Sequence, residues 1–138
     1  MTTYADIATR TSTTIPEHLI AQAEIPVLPR VIQGDVMIIP TTATPRQTKP
    51  IPVGPEGVNV VQGDIGRNRH ILSPGLNSTI HWAPGTITDP DRDYGHLTVQ
   101  TGIAVLTHTG EHGSVAVPEG TYRVLGQLDP QTRRRVAD

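Results

Sequence analysis

Between His96 and Leu125, apolar and polar positions alternate in the two-residue rhythm of strands with one buried face. Leu97, Val99, Ile103 and Val105 share one parity, and Gly102 interrupts the run; a glycine there predicts a bulge or bend at which the sheet curls. Thr109-Gly110-Glu111 then reverses the chain and Ser114 to Val117 returns. Pro118-Glu119-Gly120 turns it again and Thr121 to Leu125 makes a further strand, so the stretch predicts a meander. Upstream, the same rhythm predicts a first strand over Val31 to Ile39, and others at Val58 to Gln62, His70 to Leu72 and Thr79 to Trp82. In the last of these, Ile80 and Trp82 point in and His81 points out. Turns at Gly66-Arg67-Asn68 and Ser73-Pro74-Gly75 separate them. Pro40 to Pro55 holds too many prolines for a central strand and predicts a surface loop or an arm reaching a neighbour.

The expected fold is all-β: a small barrel or sandwich of about eight short strands, with an N-terminal extended arm and one short helix. Residues 1–13 are rich in threonine and poor in apolar side chains, so they are expected to be extended or disordered unless a partner holds them. Thr14-Ile15-Pro16-Glu17 has capping-box spacing, which predicts a helix from Pro16 to about Ala23 with Leu19, Ile20 and Ala23 on one side. Pro26 stops it, and Ile25 to Arg30 continues as a proline-spaced arm. The chain thus divides into an arm with a short helix (1–30), a β domain (31–128) and a C-terminal tail (129–138). VIQGDV at Val31 to Val36 recurs as VVQGDI at Val60 to Ile65; two similar turns in one sheet, or a pair of related half-barrels, would account for it.

Composition narrows the picture. The 138 residues suffice for one domain with a real core. That core must be aliphatic, because Trp82, Tyr4, Tyr94 and Tyr122 are the whole aromatic set. Few aromatics and a formal charge of −2 argue against a nucleic-acid partner, and Arg133-Arg134-Arg135, the only basic run, is expected to be a solvated tail. Without cysteine there is no disulfide frame and no thiolate site. The first residues lack a signal peptide's basic start and apolar block, and no stretch approaches about 18 apolar residues, so no membrane partner is expected and the protein is expected to stay in the cytoplasm or a virion. Asn77-Ser78-Thr79 spells a glycosylation sequon that such a location leaves unused.

Two groups of side chains bear on chemistry. Asp89, Asp91 and Asp93 precede Gly95 in a pattern near a calcium loop, but Pro90 stiffens it and Gln100 stands where the closing glutamate belongs; a solvated acidic loop is expected. His70, His96, His108 and His112 are candidate ligands for zinc, iron or nickel, or else ordinary turn and surface histidines. His108 and His112 bracket a tight reversal, where Glu111 would add a carboxylate, and His96 and His108 lie on the parity opposite Leu97 and Val105. Ser78 and Ser114 lack any triad context, and neither a nucleophile elbow nor a phosphate loop is present, so no catalytic residue is assigned.

Two resemblances follow from particular stretches. Gly34 to Pro40 (GDVMIIP) resembles the first half of the second cupin motif, and Val117-Pro118-Glu119-Gly120 resembles its P-x-G turn. The resemblance implies a barrel; Tyr122 and Arg123 stand where the family's metal-binding histidine would be. Gln33 to Val36, Gly66 to His70 and His108 to Gln127 resemble a family of small uncharacterised β-rich proteins of bacteria and phages, with Asn68 in place of a first histidine, and this implies no activity. The expected function is a non-enzymatic structural or assembly protein, such as a phage virion component or symmetric oligomer. Its N-terminal arm would contact copies of itself or neighbouring assembly proteins through Ile15, Leu19, Ile20, Val27 and Leu28. The alternatives are a cupin-like metal-binding protein or small metal-dependent enzyme using the histidines, and an accessory that binds through an exposed sheet edge.

Overall fold

Alternation along the strands sorts side chains onto two faces, and the buried faces of two antiparallel sheets pack against each other. The computed structural model describes residues 2–12, 23–33, 36–42, 49–61, 69–85, 93–108 and 113–126. In chain order these form α1 (Tyr4–Thr11), β1 (Val31–Gln33), β2 (Val36–Pro40), β3 (Ile51–Pro52), β4 (Val58–Asn59), β5 (His70–Pro74), β6 (Thr79–Pro84), β7 (Asp93–Thr101), β8 (Ala104–His108), β9 (Gly113–Val117) and β10 (Gly120–Gly126). One sheet runs β1-β2-β10-β7-β6-β3 and the other β4-β5-β8-β9. The sheets do not close on each other, so of the two expected all-β forms the molecule takes the sandwich. Val36, Ile38, Ile80, Trp82, Leu97, Val99, Tyr122 and Val124 fill the gap from the first sheet, and Leu72, Ala104, Leu106 and Val117 from the second. Each large aliphatic among them stabilises the fold by about 1.5–3 kcal/mol.

Gly102 does more than bend one strand. Its φ of +78° suits glycine, and an added Cβ would strike Ser78. Ser78 Oγ accepts a hydrogen bond from the Ile103 N–H (3.0 Å), and the Glu119 carboxylate accepts one from the Gly102 N–H (3.2 Å), pinning a corner at which the chain changes sheets. The change inverts parity: Leu97 and Val99 face the gap, whereas Val105 faces away from it and meets Ile7, Ile25 and Ala116. The expected meander is therefore corrected. β8 and β9 form a hairpin, but β10 crosses back to pair with β7 and β2.

The expected first strand is likewise two, a hairpin in which Gln33 pairs with Val36. The second QGD stretch lies outside the described residues, but Val60, at its start, donates to the His70 carbonyl (3.1 Å). The two copies thus open in different sheets and not in one. β5 runs on through Pro74, and the reversal falls at Gly75 to Ser78 with Asn77 left-handed (φ 56°). Ile51-Pro52 pairs with Trp82 and His81 as an edge strand, where a missing N–H is tolerated.

The N-terminal expectation is also corrected. Residues 4–11 are helical, not extended. Thr3 Oγ accepts from the Asp6 N–H (3.2 Å) while the Asp6 carboxylate accepts from the Thr3 N–H (2.8 Å), a reciprocal cap that also holds the Asp6 carboxyl below its usual pKa. Ile7 packs with Ile25, Val105 and Ala116 on the outer face of the four-stranded sheet. A strap from Ile25 then adds itself in parallel to β9: Leu28 N–H donates to Ala116 O and Ala116 N–H to Pro26 O, both at 2.8 Å. The described part of the leader thus folds on its own domain and does not wait for a neighbour. The predicted helix over 16–23, with Ile15, Leu19 and Ile20, falls almost wholly on residues 13–22, outside the described residues, as does the tail with Arg133 to Arg135.

Candidate functional site

Two of the four candidate histidines come together. β5 and β8 are antiparallel with His70 directly opposite His108, and both side chains share the parity of Leu72 and Leu106, toward the gap between the sheets. Each is 1% exposed, and the rings stack with centroids 4.2 Å apart and planes 6° from parallel. One strand further on, Gly113 of β9 pairs with His108. Across the gap, Gln33 at the end of β1 reaches over and its Nε2 donates to the Gly113 carbonyl (3.3 Å). Gln33 is 7% exposed, and its Oε1 is buried with no hydrogen-bond partner among the described residues. Such an orphan carbonyl costs about 1–3 kcal/mol relative to a satisfied one.

His96 is not part of this group. It lies on the outer face of the six-stranded sheet, opposite Arg123 on one side and Ala83 on the other, so the whole sheet separates it from His70 and His108. A bulge at Tyr94 and Gly95 brings Asp93 onto the same outer face, where its carboxylate lies 3.7 Å from the Arg123 guanidinium. Burial lowers the His96 pKa below the ordinary histidine value; Asp93 opposes the shift and Arg123 adds to it. His112, Glu111, Asp89 and Asp91 lie outside the described residues. Among the described residues no three histidine or carboxylate side chains converge.

At the position where the cupin fragment would place a histidine, Tyr122 donates its hydroxyl to the Pro118 carbonyl (2.6 Å), tying down the corner between β9 and β10; burial raises its pKa. Arg123 turns outward to Asp93. Ser114 shares a hydrogen bond with Thr107 (2.9 Å) on the face away from the gap, toward the leader. None of these side chains forms a nucleophile–base pair.

A different feature stands at the rim. On the outer face, Ile32 of β1, Met37 of β2 and Leu125 of β10 form one row across three strands. Ile32 ends that row at the last strand of the sheet and is 66% exposed, and the strap leading into it carries Val27 (42%) and Leu28 (45%). Two of the expected contact residues, Val27 and Leu28, are therefore at the surface. Gln33 and Ile32 both escaped the sequence reading. The signal for Gln33 was there: it occupies the inward parity of Val31, where a polar residue needs a reason.

Among curated proteins and among solved structures nothing matches this chain. The model of one family, Domain of unknown function (DUF8820), matches residues 32–127, from the middle of β1 to just past β10, and the chain belongs to that family.

Proposed function

We propose that the protein is a non-enzymatic structural module, a building block that associates with copies of itself through the β1 edge. The observation that carries this reading is the apolar row Leu125-Met37-Ile32, which runs outward across the sheet and ends, exposed, at a strand with no partner on its far side among the described residues. β1 holds neither proline nor charge, the devices that usually blunt such an edge. A second copy related by a two-fold axis beside Ile32 would extend the sheet antiparallel, place Ile32 against Ile32 and carry the row on without a break. Val27 and Leu28 would add apolar area beside the joint. The reading keeps the expected self-association but moves its centre from the leader's helix to the rim.

Light scattering of the purified protein tests it. The native chain is expected to be larger than a monomer and Ile32→Lys to be monomeric, with unchanged circular dichroism. A monomeric native chain at about 0.1 mM, where even a micromolar Kd would be saturated, refutes it.

A further inference from the structure

β1 is sorted against hydrophobicity. Of its three residues the polar Gln33 is only 7% exposed, whereas Ile32 is 66% exposed; Val31, on the parity of Gln33, is buried. Moving β1 by one position along β2 would reverse this. With Ile32 in place of Val31 opposite Ile38, Ile32 would turn into the gap while Val31 and Gln33 turned to solvent. The connection to β2 would grow from two residues to three, another common hairpin length. An aliphatic side chain would still fill the space, larger by one methylene, and the orphan Gln33 carbonyl would be hydrated. Both changes favour the slipped register, so a further contact must hold the observed one. We propose that Gln33 is the positioning residue of β1: the bond from its Nε2 to the Gly113 carbonyl keeps the strand in the register that turns Ile32 outward. The proposal rests on the self-association reading for its purpose, since it names what keeps Ile32 available to a second copy, but the register belongs to the single chain and is measured there.

The bond can do this because its acceptor belongs to the other sheet. A ladder of backbone bonds to β2 forms in either register, but Gln33 Nε2 reaches Gly113 O, at 3.3 Å, only from the inward face. Gly113 is itself fixed, as the partner of His108 in the β8–β9 hairpin. The bond from Leu28 N–H to Ala116 O (2.8 Å) anchors the strap without anchoring the strand. Pro29 and Arg30 stand between, both exposed, and their backbone can take up a shift of one position. A buried amide that costs stability and selects one register among several is the best-attested use of such a group. Side-chain length matters to it: serine at position 33 is too short to span the gap, and methionine fills the space without a bond.

Methyl NMR of the full-length chain, labelled at isoleucine and methionine, tests the register. In the native chain the Ile32 methyls are expected to show cross-peaks to Met37, its partner on the outer face. In Gln33→Ser these should give way, in most molecules, to cross-peaks to Ile38. In Gln33→Met two apolar side chains favour the inward parity, so Ile32 should stay beside Met37. Sedimentation equilibrium should follow: an association weakened by more than about tenfold in Gln33→Ser, as the competent register becomes a minor one, and changed by less than about threefold in Gln33→Met. The inference is overturned if Ile32 in Gln33→Ser keeps its contacts with Met37, or loses them without gaining Ile38, and equally if Gln33→Met slips. The native chain decides where a variant fails to fold. There the Gln33 side-chain amide protons should exchange with solvent at least roughly tenfold more slowly than those of the exposed Gln100, and equal rates overturn the proposal. A native chain that is monomeric at every concentration removes the self-association reading alone, because the cross-peaks of Ile32 report the register without a partner.

Discussion

The six-stranded sheet ends in two edges that look alike and are built differently. Each presents an exposed isoleucine, Ile32 in β1 at 66% and Ile51 in β3 at 55%. Apolar surface alone would make both sticky. The backbone distinguishes them: β3 is Ile51-Pro52, preceded by Lys49-Pro50, and prolines have no N–H to give an incoming strand. β1 too follows a proline and a cation, Pro29-Arg30, but its own three residues include no proline, so each keeps its N–H. An edge is open when its hydrogen-bonding groups are available, and the exposed side chain only determines what is gained once pairing begins.

The strongest way to break the contrast is to unseat β1. Among the described residues it is paired only to β2, whose Ile38 points into the core, so Ile38→Ala should cost about 2–5 kcal/mol in urea unfolding and abolish the proposed self-association together with stability. The leader provides the next test. If Ile7 belongs to the core, as its burial against Val105 and Ala116 indicates, Ile7→Ala costs about 2–4 kcal/mol in the same measurement; a loss below about 0.5 kcal/mol would mean that the helix merely rests on the sheet. Surface substitutions then sharpen the comparison. Ile32→Lys and Ile51→Lys should each change stability by no more than about 0.5 kcal/mol, yet only the first should weaken association, by more than about tenfold in sedimentation equilibrium.

The smallest effect concerns His96, on the same outer face as Ile32. Burial holds its folded pKa below the unfolded value of 6.5, so the folded state prefers the neutral ring. That preference leaves stability intact above pH 6.5 and erodes it as the pH falls below 6.5 toward the folded pKa. His96→Gln should flatten the decline in melting temperature over that window, modestly, because the ring is only partly buried.

What could be read from the residues was local. Alternation showed strands, placed Ile80 and Trp82 inside and His81 outside, and the prolines at 50 and 52 denied the insertion a central position. What could not be read was which sheet each strand would join. That choice is made at corners such as Gly102, and one wrong corner inverts every side chain after it, as it does for Val105 and His108. The helix α1 was hidden because its cap uses aspartate in place of glutamate and because Ile7 finds two of its partners, Val105 and Ala116, about a hundred residues away. Gln33 and Gly113 are brought together by packing across the gap although they stand 80 positions apart; no spacing rule reaches so far. The histidines were visible as residues, but their division between two faces was not.

The strap along β9 has a consequence for how far any assembly can spread. By occupying the backbone groups of Ala116, it fills the flank on which the smaller sheet would otherwise recruit strangers. The prolines deny the larger sheet growth at β3, and β4 spans only Val58 and Asn59. If copies do pair at Ile32, β1 is the one receptive rim among the described residues, so a mated couple would have nothing left there to offer a third molecule and the joining would stop short of a fibre.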